Sequence, residues 1–194
     1  MPFVNPDSTF GLQADRVNAL YQRIADIRDR YSSFSDARRV NLNNVMIAAN
    51  ASIAILRLLD WASRGGEAIL IQELRLTKPE YINAVAEDLL RSSRLFLLVE
   101  SQFQVEALFR NALIALGRTT IKIGYYNVAN DLLGAVGLPN SDAKLHVLNV
   151  PALMRNSMHS NGIHQGWRGT DTIEVIRGLE FRFEHGKPVH CGSP

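Results

Sequence analysis

From Leu12 onward the apolar positions Val17, Leu20, Ile24, Ile27 and Tyr31 recur every three or four residues, with Asp15, Arg16, Asp26 and Arg30 between them. That spacing predicts an amphipathic helix. Ser32 to Ser35 reads as a turn, and Ser35 as the N-cap of a long helix through Val40, Met46, Ile53 and Leu56 to a stop at Gly65-Gly66. A short helical piece, 67–76, leads to Thr77-Lys78-Pro79, where Thr77 can cap and Pro79 can open a third helix. Ile82, Val85, Leu89, Phe96, Val99 and Phe103 keep helical spacing toward Gly117. Unbroken, that helix would be about 57 Å long, and a bend is expected within it. Residues 118–136 form a further helical segment, ended by Gly137-Leu138-Pro139-Asn140, and Ser141-Asp142 restarts the chain.

After Gly162 the period changes to two. Ile173 and Val175, then Leu179, Phe181 and Phe183, alternate with polar residues around Arg177-Gly178, which predicts a β-hairpin with its polar face exposed. The expected fold is all-α: a four- to five-helix bundle over residues 1–166, with the hairpin of residues 167–194 packed on the same domain.

Composition narrows the function. Twenty-one Lys and Arg against nineteen Asp and Glu leave +2, too little for a long duplex-binding groove, though a local basic site is allowed. The single cysteine, Cys191, has no internal disulfide partner, and MPFVNPDSTF has no charged and then apolar leader pattern, so a reducing cytoplasm is expected. The most apolar stretch, Val45 to Leu59, is interrupted by Asn50 and Ser52 and followed by Asp60, so no membrane span is expected. His185, His190 and Cys191 lack the compact paired spacing of a zinc site, and Gly186-Lys187 lacks the rest of a phosphate loop. No metal and no cofactor are expected. Trp61, Phe96, Phe103 and Phe109 could stack on bases, but at helical spacing they read first as core.

The chemistry concentrates in LHVLNVPALMRNSMHSNGIHQG, residues 145–166. Helical from about Val150, this stretch would place Val147, Val150, Met154 and Met158 on one packing stripe. Arg155 and His159 would then lie one turn apart on a shared face, with Asn156 beside them. Gly162 would close the helix in a left-handed cap, with Asn161, Ile163 and His164 turning over its end. A fixed guanidinium can hold a phosphodiester while an imidazole moves a proton, which suffices for RNA cleavage by the neighbouring 2′-hydroxyl. The plainer alternative is an ion-paired Arg155, a surface His159 and a helix stop. On the third helix Glu100, Gln104 and Arg110 should pass near, and Glu100 is a candidate for orienting Arg155.

The run Arg155-Asn156-Ser157-Met158-His159-Ser160-Asn161-Gly162-Ile163-His164, late in a helical chain, resembles the signature of the HEPN superfamily of prokaryotic nucleases. That signature is an arginine, usually a polar residue, and then a histidine, with four to six residues between the arginine and the histidine, a spacing from which this chain departs. Here Arg155 and His159 have three residues between them, and Arg155 and His164 have eight. The resemblance implies a helical bundle that dimerises with its motif helices facing, and metal-independent endoribonuclease activity in a toxin or phage-defence setting. It further implies Arg155 on the scissile phosphate, Asn156 orienting it, His159 as acid or base, and Asn161 and His164 as auxiliary or RNA-contacting groups. The implied partners are an RNA substrate, a second copy of the chain and an antitoxin or defence-system protein. The competing expectation is a non-catalytic module of the same fold that binds RNA, a nucleotide or a protein.

Overall fold

The computed structural model describes residues 9–33, 36–76, 78, 81–118, 124–138, 142–160 and 162–189, excluding the side chains of 142–144 and 167. The elements are α1 (Phe10–Arg28), α2 (Ala37–Trp61), α3 (Glu67–Glu73), α4 (Tyr81–Ala115), α5 (Tyr125–Ala135), α6 (Asp142–Met158) and an antiparallel pair, β1 (Thr172–Ile176) and β2 (Leu179–Phe183). The mostly helical class with a small C-terminal hairpin is as expected. The chain forms two compact units, the first ending at Ser101 and the second beginning at Gln102, with α4 contributing to both.

In the first unit α1 packs along α2. Phe10, Ala14, Leu56, Leu59, Ala62, Leu70, Ile82 and Ala86 form one buried cluster, and Ile24, Val45 and Met46 form a second. The α1 stripe is narrower than the periodicity suggests, since Leu20 and Ile27 are exposed. The stretch 37–73 is long and apolar enough to cross a membrane by length and composition alone, but half of its most apolar window is buried within the protein. Ser35 and Thr77, the expected caps, lie outside the described residues. The cap of α2 is Asp36, whose carboxylate accepts the Arg38 backbone N–H at 2.9 Å. Hydrogen bonds from the Arg38 side chain and backbone hold the Asp36 carboxyl down to about 2.

Two other boundaries differ from the pattern-based expectation, those of α5 and α6, while the long third helix keeps its own. α4 is continuous over 35 residues, about 52 Å, with no internal break. α5 starts at Tyr125, because Gly124 is extended (φ −62°, ψ 158°) and acts as its N-cap. α6 starts at Asp142, eight residues before the expected Val150. Pro151 sits inside the helix, at the cost of one backbone hydrogen bond to Val147. Val147 is accordingly on the exposed side, and the buried residues of α6 are Leu145, Val150, Ala152 and Ser157.

The hairpin turns through Arg177 (φ 51°) and Gly178 (φ 81°), the left-handed pair of a two-residue turn. Ile173 faces Arg182 and Val175 faces Glu180 across the strands. The expected exposure is reversed on β1: Ile173 and Val175 are exposed and Glu174 is buried. The reason lies on α6, which packs against β1. There His146 Nδ1 pairs with one Glu174 carboxylate oxygen, and Asn149 Nδ2 donates to the other at 3.1 Å. A buried carboxylate with both oxygens engaged is tolerated, and it takes the inward position that alternation would give to an apolar side chain.

Candidate active site

Arg155 lies in the last turn of α6 with its side chain only 12% exposed. Its Nη1 donates to Glu106 Oε2 at 3.1 Å, and its Nε and Nη2 donate to Asn156 Oδ1 at 3.3 and 3.0 Å. The guanidinium carbon stands 5.2 Å from the centre of the Phe103 ring, a cation–π distance. Glu106 is shared: its other oxygen accepts from Arg110 Nη2 at 2.7 Å and from Nε at 3.1 Å, one turn along α4. Two guanidiniums thus share one carboxylate. Burial pushes the Glu106 carboxyl up, but the hydrogen bonds and charges of Arg110 and Arg155 outweigh it and hold the group below its ordinary value. Beside this cluster Phe109 stacks on Tyr125 at 6.3 Å with the rings nearly parallel. Burial raises the Tyr125 phenol, which keeps it protonated and neutral at physiological pH.

The helix ends at Met158, so His159 lies in the turn beyond it and is exposed. Gly162 (φ 82°) closes the end as expected, its N–H donating to Ser157 O at 2.9 Å. From there the chain is tied back to the segment after the hairpin: His164 N donates to Lys187 O, Gly186 N to His164 O, and Val189 N to Gly162 O, each at 2.9 Å. The His164 ring is buried against Phe183, 5.5 Å between centroids, with neither ring nitrogen hydrogen-bonded to a described residue. Burial, and then the nearby His185, push its imidazole below the ordinary histidine value, with Asp171 opposing.

The residues singled out from the sequence therefore separate. Arg155 and Asn156 are joined directly, and His159 follows in the open at the end of the same helix. His164 is enclosed under the hairpin, and Asn161 lies outside the described residues. Asn156 holds the arginine rather than standing free for a phosphate. Glu100 lies on α4 in the first unit, and the carboxylate that meets Arg155 is Glu106. Sequence reasoning passed over Glu106, although its spacing from Arg110 is the ordinary i, i+4 signal of a helical ion pair. Phe103, which reads first as core, lies instead beneath Arg155 and is 47% exposed, and Trp61 and Phe96 are also about half exposed, so these three aromatics do not fill a core. Among the described residues no group of three or more His, Cys, Asp or Glu side chains could hold a metal ion. No family model, curated protein or solved structure matches the chain.

Proposed function

We propose that this chain is a HEPN-like, metal-independent endoribonuclease of the cytoplasm. The observation that carries the reading is Arg155, held by Glu106, Asn156 and Phe103 in the last turn of α6, with the exposed His159 immediately beyond it. A guanidinium oriented in advance costs little reorganisation when charge builds on a phosphate. His159 as base takes the proton of a 2′-hydroxyl, the 2′-oxygen attacks phosphorus, and the bond from phosphorus to the 5′-oxygen breaks. The products are a 2′,3′-cyclic phosphate and a 5′-hydroxyl, the latter needing a proton from a second acid. A homodimer with facing motif helices supplies that acid as the other copy's His159. The half-exposed ring of Phe103 offers an edge for a neighbouring base.

One observation favours a second reading. Arg155 is nearly buried and already carries a carboxylate, which suits a non-catalytic module that binds RNA, a nucleotide or a protein. The two separate in one assay: mixed cellular RNA in EDTA with wild type, Arg155→Ala and His159→Ala, with analysis of the product ends. Cleavage by wild type alone, leaving cyclic phosphate ends, is the expected result. Equal cleavage by all three refutes the assignment, and RNA binding with no turnover in any selects the binding module.

A further inference from the structure

A cavity of about 230 Å³ lies in the first unit, bounded by Gln13, Arg16 and Val17 of α1, Ser52 and Leu56 of α2, and Ser93, Arg94 and Leu97 of α4. Its floor is mostly apolar. The Ser52 hydroxyl is spent on the Ser93 carbonyl at 3.2 Å, both serines are buried, and the remaining floor is the apolar surface of Val17, Leu56 and Leu97. Its rim is cationic. Arg94 Nη2 donates to Gln13 Oε1 at 2.9 Å while Gln13 Nε2 donates to Thr9 Oγ1 at 2.8 Å, which fixes one guanidinium along the edge. Arg16 stands at the same rim, and among the described residues neither arginine has a carboxylate within ion-pair distance. The nearest acidic residue in sequence, Asp15, is engaged by Arg57.

Two guanidiniums with no carboxylate partner among the described residues, beside a small apolar cavity, suit a ligand with an apolar body and one anionic head. Apolar cavities of about 150 Å³ take up benzene, so this one holds a body somewhat larger than a benzene ring. Ligand sites are commonly apolar pockets oriented by a few polar groups. We propose that the cavity binds a small organic monocarboxylate, an aromatic or medium-chain acid, with its body between α1, α2 and α4 and its carboxylate on Arg16 and Arg94. Guanidinium forks match carboxylate geometry, and both side chains reach solvent, so binding weakens as salt is raised. The inference stands independently of the proposed nuclease activity, since every residue that it uses lies in the first unit.

The test is calorimetric titration of the full chain with octanoate, octanol and acetate. Octanoate is expected to bind saturably with Kd below about 1 mM, and acetate, the head alone, is expected not to bind at that level. The double variant Arg16→Gln/Arg94→Gln should lose about tenfold or more for octanoate and leave octanol unchanged. Leu97→Phe, which fills the cavity, should abolish both. Failure of octanoate to bind wild type, unchanged octanoate affinity in the double arginine variant, or acetate binding as well as octanoate would each overturn the proposal. The arginine variant changes only exposed rim side chains, so the test does not depend on the tolerance of the core to Leu97→Phe.

Discussion

Replacing Glu106 by glutamine removes the one carboxylate shared by Arg155 and Arg110 while keeping the shape and one acceptor. The cost follows from exposure. An exposed ion pair contributes about 0–1 kcal/mol, whereas orphaning a buried charge costs about 3–5 kcal/mol. The Glu106 side chain is 20% exposed, Arg155 12% and Arg110 30%, which places the variant between those limits at about 2 kcal/mol. For a chain of this size that is a fall in Tm of about 4–8 °C. The sign of the pH dependence also follows. Because the folded carboxyl titrates below its ordinary 4.5, the unfolded chain takes up the proton first. The contribution of Glu106 is therefore fully present above 4.5 and is lost as pH falls through the folded value, so the gap between wild type and Glu106→Gln should narrow in acid. Urea denaturation followed by circular dichroism, run as a double-mutant cycle with Arg155→Gln, isolates the pair. A coupling energy of about zero would refute the view that Glu106 holds Arg155 in place.

His164 and Glu174 provide two further checks. The His164 imidazole is held below 6.5 by burial, so the unfolded state protonates first and stability falls as pH drops below 6.5. His164→Phe should remove that loss, giving the variant a Tm advantage that grows between about pH 7.5 and pH 5.5, and parallel Tm profiles would count against it. Glu174→Val strips the buried partner from His146 and Asn149 and should cost about 3 kcal/mol by urea denaturation. The double variant His146→Leu/Glu174→Val should return to within about 1 kcal/mol of wild type, because well-packed apolar side chains can replace a buried polar pair. A double variant no better than the single would contradict that account.

Local rules explain both what the amino-acid pattern revealed and where it misled. The Leu12-to-Tyr31 periodicity, the Arg177-Gly178 turn and the Gly162 stop are properties of residues within a few positions of one another, and all reappear as elements. The start of α6 escaped the pattern because the packing of Leu145 and Val150 extends the helix through Pro151. Arg155 was recognisable as a site residue, but its partner lies 49 positions away, beyond the reach of spacing arguments. The same holds for Glu174, whose inward direction is dictated by two side chains about 25 positions earlier.

That inversion on β1 bears on how the hairpin reaches its final pairing. A slip of one residue would carry Ile173 and Val175 inward and turn Glu174 to water, the arrangement that hydrophobic sorting alone prefers. The turn opposes the slip only weakly, because Arg177 must enter the left-handed region at a cost of about 1–2 kcal/mol. The remaining selection comes from His146 and Asn149, which can act only once α6 has formed and met the strand. The instructions for strand alignment are thus kept outside the hairpin, so its native registration is a late event in folding, dependent on a helix already in place.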